Sequence, residues 1–342
     1  MNKQRGSVSV LTVLMLPVML GFAALAVDLA YFHVVRAELQ NDADAAALAG
    51  ARHLYTAGSL TPDWSAAAQR AQSAIALNSA AGQGLSQGTV QTGYWNVAQS
   101  PWMLQALPMV PTVNDAPAVQ VTVAKATGQN QGPVQTFFAR IWGIFTQPLQ
   151  ATAVAGPTSP NTIDNGVLFP FVMSKCMYEN YWNSNTYPPG PRSDPLTNLP
   201  YVFNLGSTYH YGPCSSGQWT SLLVDSNNVP TIRDLIRDRS PQVLSIGQSI
   251  WIQPGTMTTL YQTTRACSAA GNRSCEYVVI AIVDNIDTHN HAPIQAFACL
   301  HILNAVSSQQ YIQAEMSSGC SVPASGGSGP NYGVVSPPSL FR

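Results

Sequence analysis

Between Ser7 and Val27 the chain carries no charged residue, and the run VSVLTVLMLPVMLGFAALAV is about as long as the ~20 residues a helix needs to cross a hydrocarbon core. Pro17 and Gly21 weaken a helix in water, but both are tolerated in membrane helices. The competing reading is a cleaved signal peptide. That needs a short apolar core and a small-residue cleavage site, whereas this run is longer and Asp28 leads into more helix-forming sequence. Lys3, Arg5 and the amino terminus lie on one side of the run. Arg36 with Asp28, Glu38, Asp42 and Asp44 lies on the other, so the positive-inside rule predicts a cytoplasmic amino terminus. The remainder is then expected in the periplasm or outside the cell.

Tyr31 to Leu54 contains no proline and is rich in Ala, Leu, Glu and Arg, which predicts that the helix continues past the apolar run. Ala43, Ala46, Ala47, Gly50 and Ala51 gather small side chains there, a surface that lets another helix approach closely; alanine's intrinsic helix propensity accounts for the same pattern equally well.

Charged residues make up only 9% of the 342 positions, so Ser, Thr, Asn and Gln must solvate much of the surface. A net charge of -1 supplies no basic field for nucleic acid. The six cysteines, Cys176, Cys214, Cys267, Cys275, Cys299 and Cys320, fall in the second half with no CxxC spacing, which removes support for zinc-knuckle or thioredoxin-type chemistry, and the expected location outside the cytoplasm favours disulfides over free thiols. The most local pairing, Cys267 with Cys275, would close a loop over Gly271 and Asn272; the other pairings are open.

The segment RGSVSVLTVLMLPVMLGFAALAVDLAYFHVVRAELQNDADAAALAGA resembles the N-terminal segment of TadG-like proteins of the tight-adherence (Tad, or Flp) pilus-assembly system. The elements carrying the resemblance are Arg5-Gly6, Pro17, Gly21, the exit Ala26-Val27-Asp28, the run Arg36 to Asn41 and the run Asp44 to Ala51. It continues more loosely through Gly93 to Asn96, Ala118 to Val123, Phe137 to Gly143 and Ala151 to Ala155, then around Ile246 to Ile250, Pro254-Gly255, Val278 to Asp284 and Ala296 to Ala298. The resemblance implies a single-pass, non-enzymatic component of the bacterial inner membrane, with pilus-assembly or pilin-like proteins as partners and no cofactor or small-molecule substrate. It marks Arg36, Glu38, Asn41, Asp44, Ala47 and Gly50 as candidates for helix packing or assembly. No DxSxS loop of a von Willebrand A domain occurs, and the fifth residue after Gly6 is Leu11 where true pilins have glutamate. Neither metal-dependent adhesion nor processing at Gly6 is therefore carried over.

The predicted fold class is α+β, with a cytoplasmic stretch (1–6), an apolar helix (7–27), a pilin-like α+β unit (28–155), a linker (156–162), a β-rich domain (163–320) and a flexible tail (321–342). Asp63 to Ala80 predicts a second helix, with Ala67, Ala71, Ile75 and Leu77 near one face and Thr61 or Asp63 as cap. Thr89 to Trp95, Ala118 to Ala124 and Leu149 to Val154 alternate as half-buried strands, and Val134 to Phe145 reads as a buried helix. Farther on, one helix is expected at Ile232 to Arg239, with Thr231 and Asp234 as a capping pair. Strands are expected at Val243 to Ile252, Thr258 to Thr263, Tyr277 to Val283 and Ile294 to Leu303.

Three constellations carry chemistry of other kinds. His289 and His291 with Asp284, Asp287 and His301 have the residue types of a zinc or iron site, but VDNIDTHNHAP reads better as a solvated hairpin tip. His289 or His291 could serve as a base for Ser268 or Ser274, though no GxSxG elbow supports a hydrolase. Tyr178, Tyr181, Trp182 and Tyr187 could present a glycan- or protein-binding face on an anchored adhesin-like protein; as large rings they are better read as the roof of a core.

Overall fold

A computed structural model describes residues 5–55, 61–98, 102–112, 114–185, 189–325 and 332–341. Its first element, α1 (Arg5–Ala51), is one helix of 47 residues, about 70 Å long at 1.5 Å per residue. Its two halves differ. Leu11, Leu14, Met19 and Phe22 stand open, and this half is long and apolar enough to cross a membrane by length and composition. Beyond Asp28 the helix buries Val35, Leu39, Ala43, Ala46, Ala47 and Gly50, a stripe at helical spacing.

That stripe packs on α2 (Trp64–Ile75) and on an antiparallel sheet. Asp63 caps α2 by accepting the Ala66 N–H at 2.9 Å, and Ala67, Ala71 and Ile75 face α1. The helix stops earlier than its sequence suggests, and Leu77 is exposed. Ala81 and Gly82, both left-handed, turn the chain between Ser79-Ala80 and Gln83-Gly84. The sheet comprises β1 (Thr89–Asn96), β2 (Leu104–Ala106) and β3 (Asp115–Lys125). On β3, Val119, Val121 and Val123 point to the helices.

Val134 to Phe145 is not a buried helix. It forms a hairpin of β4 (Val134–Gln135) and β5 (Thr146–Gln147) around one 3₁₀ turn, Ala139–Trp142. Aromatic and β-branched residues favour helix weakly, and left-handed Gly143 ends the turn at once. Then β6 (Leu149–Gly156) returns beside β3.

The second unit, following Gly156, centres on a seven-stranded sheet. Its strands are β7 (Leu168–Ser174), β8 (Val202–Leu205), β9 (Gly217–Leu222), β10 (Ser249–Ile252), β11 (Tyr277–Val283), β12 (His291–Val306) and β13 (Tyr311–Met316). The order is β8-β13-β12-β10-β9-β7-β11, and β11 also pairs with β12, so five strands close into a ring. Only the β7–β11 pair within this sheet is parallel. Both faces are covered, which is why Val278 to Val283 is uninterruptedly apolar.

Three short helices flank the ring: α3 (Lys175–Tyr181), α4 (Val229–Asp238) and α5 (Thr258–Cys267). The start of α4 is capped by Asn228, which accepts the Thr231 N–H, with Pro230 in the first turn, in place of the Thr231–Asp234 pair. The expected strand at Thr258 to Thr263 is instead α5. Its Leu260, Tyr261 and Thr264 meet the core at helical spacing, and that packing overrides the β propensity of Thr and Tyr. Gly247, left-handed, separates Leu244-Ser245 from β10 within the expected strand Val243 to Ile252.

Disulfides join Cys176 to Cys214, Cys267 to Cys275 and Cys299 to Cys320. The segment expected to be a flexible tail contributes structure where it is described. Val334–Val335 pairs in parallel with Cys320–Ser321, and β14 (Ser339–Phe341) adds to β6 as the outermost strand of the first sheet. Between them Ser336 and Thr158 bind each other through backbone and hydroxyl, so residues 156–162 are pinned by the tail.

Candidate functional site: the α1 surface and its junction with the hairpin

The six α1 candidates divide by orientation. Arg36 and Asn41 face outward. Glu38 is half-buried and accepts the Ala81 N–H at 2.7 Å, while Asp44 accepts from Gln40 at 2.7 Å. Ala47 and Gly50 lie inside the first unit. A Cβ added at Gly50 would sit 2.8 Å from the Ala67 carbonyl oxygen and 2.9 Å from the Ala71 Cβ. The close helix approach those small residues permit is thus made with α2 of the same chain.

Between these positions, Asp42 is buried. Its Oδ1 accepts from Asn78 at 2.7 Å, and its Oδ2 has no hydrogen-bond partner among the described residues. Desolvation pushes this carboxyl up to about 6 against the Asn78 hydrogen bond. The fold therefore prefers the neutral acid, and Asp42 costs stability as pH rises from its ordinary 3.8 through about 6.

Asp28 is the residue that sequence reasoning did not single out as a site. It closes the apolar run and is 1% exposed. Its Oδ1 accepts the Phe137 N–H at 2.7 Å, and its Oδ2 accepts those of Phe138 at 3.0 Å and Ala139 at 2.7 Å. These are the donors a 3₁₀ turn leaves unpaired at its start, so Asp28 caps a turn 109 to 111 residues away. Tyr31 reinforces the junction edge-on against Phe137, with ring centroids 5.0 Å apart. A single carboxylate placed directly after an uncharged run requires a partner, and that was the available signal.

The other chemistry-bearing residues do not converge. His291 binds Asp225 at 2.9 Å and packs on Trp251, and Asn290 binds Asp287 at 2.7 Å in the hairpin turn that contains left-handed His289. His301 lies ten residues farther along β12, about 33 Å at strand rise. Its Nδ1 meets Glu315 at 2.7 Å and its Nε2 meets Glu276 at 3.1 Å, on opposite ring edges. Among the described residues no group of three or more His, Cys, Asp or Glu is placed to hold a metal. Ser268 is buried, donating to the Arg265 carbonyl, and Ser274 precedes β11. Both lie near the His301 end of the β11–β12 pair, and His291 lies at the other end. Tyr178 and Trp182 belong to the core of the second unit, and Tyr181 packs on Phe203; Tyr187 lies outside the described residues.

The His301 cluster gives the second unit a pH dependence. The Glu315 hydrogen bond, against desolvation and with help from Glu276, raises His301 above its ordinary 6.5. The resulting stability is complete below 6.5 and fades as pH rises through the raised value. Arg273 first, and His301 after it, hold Glu276 below its ordinary 4.5, so that contribution fades only on acidification. Thermal unfolding of His301→Gln should lie below wild type by on the order of 1 kcal/mol at mildly acid pH, with the gap closing toward alkaline pH. A pH-independent gap would contradict this account.

Comparison with known families matches the first half of this architecture. Residues 6–53 match the Tad family model, described as Flp pilus-assembly TadE/G-like. Residues 49–155 match the Tad_C model, described as Tad-like Flp pilus-assembly. No curated protein and no solved structure matches the chain. The matched span runs from α1 to the end of β6 and contains both Asp28 and the hairpin it caps. Through residues 6–155 the chain is thus similar to Tad-like Flp pilus-assembly proteins, with an N-terminal segment similar to the TadE/G type.

Proposed function

We propose that this chain is a single-span, non-catalytic accessory component of a Tad-type pilus-assembly apparatus, minor-pilin-like in its first 155 residues. Residues 7–27 cross the inner membrane, the amino terminus is cytoplasmic, and the remainder works in the periplasm or outside the cell. The observation that carries this reading is the division of α1, whose apolar half is left almost uncovered by the described residues of the chain while its other half is the spine of the family-matched unit. Lys3 and Arg5 before the run, and three disulfides after it, support the orientation. Because Ala47 and Gly50 are used within the chain, contacts with other assembly proteins fall to the outward side of α1, where Arg36 and Asn41 lie.

Deletion of the chain should abolish or sharply reduce surface pili, and wild type supplied in trans should restore them. Replacing Arg36 and Asn41 by Glu should reduce piliation while leaving the amount of folded protein in the membrane unchanged. Normal piliation of the deletion strain would refute the assembly role.

A further inference from the structure

The tip of the β4–β5 hairpin is unusually apolar for a protein surface. Phe137, Phe138, Ile141, Trp142, Ile144 and Phe145 are 41% to 77% exposed, a contiguous patch of the kind that marks an interaction site. The tip extends along the apolar half of α1, where a Cβ at Gly21 would lie 3.9 Å from the Trp142 ring. Gly21 precedes Asp28 by seven residues, so the ring lies about 10 Å down the helix axis from the Asp28 junction. A groove of about 570 Å³ separates Leu20, Ala24 and Val27 of the helix from Phe138, Ile141 and Trp142 of the tip.

A non-helical segment can enter hydrocarbon only if its backbone groups are satisfied within the protein. Asp28 takes the N–H groups of Phe137, Phe138 and Ala139. Those of Thr136, Ile141, Gly143 and Ile144 go to the carbonyls of Phe145, Phe138, Arg140 and Ala139. The one charge on the tip, Arg140, turns its guanidinium back to the Thr136 carbonyl and the Gln135 side chain at the base of the hairpin. Tyr31 and Phe137 meet edge-on at that same level, where aromatic residues border a bilayer.

We propose that the hairpin tip Phe137–Phe145 is a second membrane contact, seated among lipid acyl chains in the leaflet where α1 emerges and latched to α1 by Asp28. The proposal rests on residues 7–27 spanning the bilayer. Its occupant is lipid because the tip continues the open apolar surface of the spanning helix. A lone helix leaves the outer unit free to swing and rotate about the anchor, whereas helix and tip together hold that unit at one orientation to the membrane.

The test reconstitutes the full chain in phosphatidylethanolamine–phosphatidylglycerol vesicles doped with a phosphatidylcholine carrying a diazirine in its acyl chain. Irradiation is followed by peptide mapping. Label is expected in Leu11–Val27 and in Phe137–Phe145, and replacing Ile141 and Trp142 by Asp should remove it from the hairpin alone. Label in Leu11–Val27 with none in the wild-type hairpin overturns the proposal and leaves the anchor standing. Label in neither overturns both. A hairpin shielded by a second copy or another protein gives the first of these results, and undiminished hairpin label in the double variant also overturns the proposal.

Discussion

A chain that ends at Ser325 is expected to lose on the order of 5 kcal/mol of stability, enough to bring a domain at the low end of ordinary stability to the edge of unfolding. The lost residues include Val334 and Val335, which are 1% and 5% exposed in the second unit, and Tyr332, stacked on Tyr178. Burial of each such side chain contributes about 1.5–3 kcal/mol, partly offset by the entropy returned to the freed segment. The truncation also removes β14. Phe341 then no longer stacks on Trp95 at 6.4 Å, and the outer edge of β6 loses its partner. The backbone links from Cys299 to Tyr332, from Cys320 to Gly333 and from Val322 to Val335 go with it. Thermal unfolding of the full and shortened chains in the same detergent measures the effect. A milder truncation after Ser336 should destabilise the first unit selectively. Matching melting curves for full and truncated chains would show the tail to be dispensable.

The second large effect is expected from Asp28→Ala. Three backbone donors lose a charged acceptor at 2.7 to 3.0 Å, and a hydrogen bond to a charged group contributes about 1.5–3 kcal/mol. Since the bonds share one carboxylate and do not add fully, a loss of about 3 kcal/mol is expected, concentrated in the hairpin. Asp28→Asn should fall between, because the amide keeps an accepting oxygen but not the charge. Hydrogen exchange reads the effect directly. Phe137, Phe138 and Ala139 should lose protection in the Ala variant while Val119 to Val123 stay protected. Unchanged exchange at those three amides would mean that the carboxylate does not hold the turn.

Patterns confined to neighbouring residues were legible. The run Ser7 to Val27 and the proline-free stretch after it predict one long helix, and α1 is one. Asp63 before an alanine-rich segment predicts a cap, and the period-two alternation at Val119, Val121 and Val123 predicts a strand with one face inward. Readings failed where a distant partner decides local form. Thr258 to Thr263 is strand-like by composition, but it lies as a helix because Leu260, Tyr261 and Thr264 must reach the core together. Val134 to Phe145 has the apolar content of a buried helix, yet the backbone donors that open its turn belong to Asp28.

The sequence by itself determined the long apolar helix, its extension into the first unit, the alternating strands and the α+β class. Each follows from residues a few positions apart, whose charge, periodicity and propensity act without the rest of the chain. Only the tertiary structure decided that Ala47 and Gly50 serve α2, that Asp28 holds a turn more than a hundred residues away, and that the tail closes both units. These depend on which surfaces meet once the chain is compact. A buried carboxylate or an unpaired strand edge specifies that a partner must be found, and the folded topology alone selects which segment supplies it.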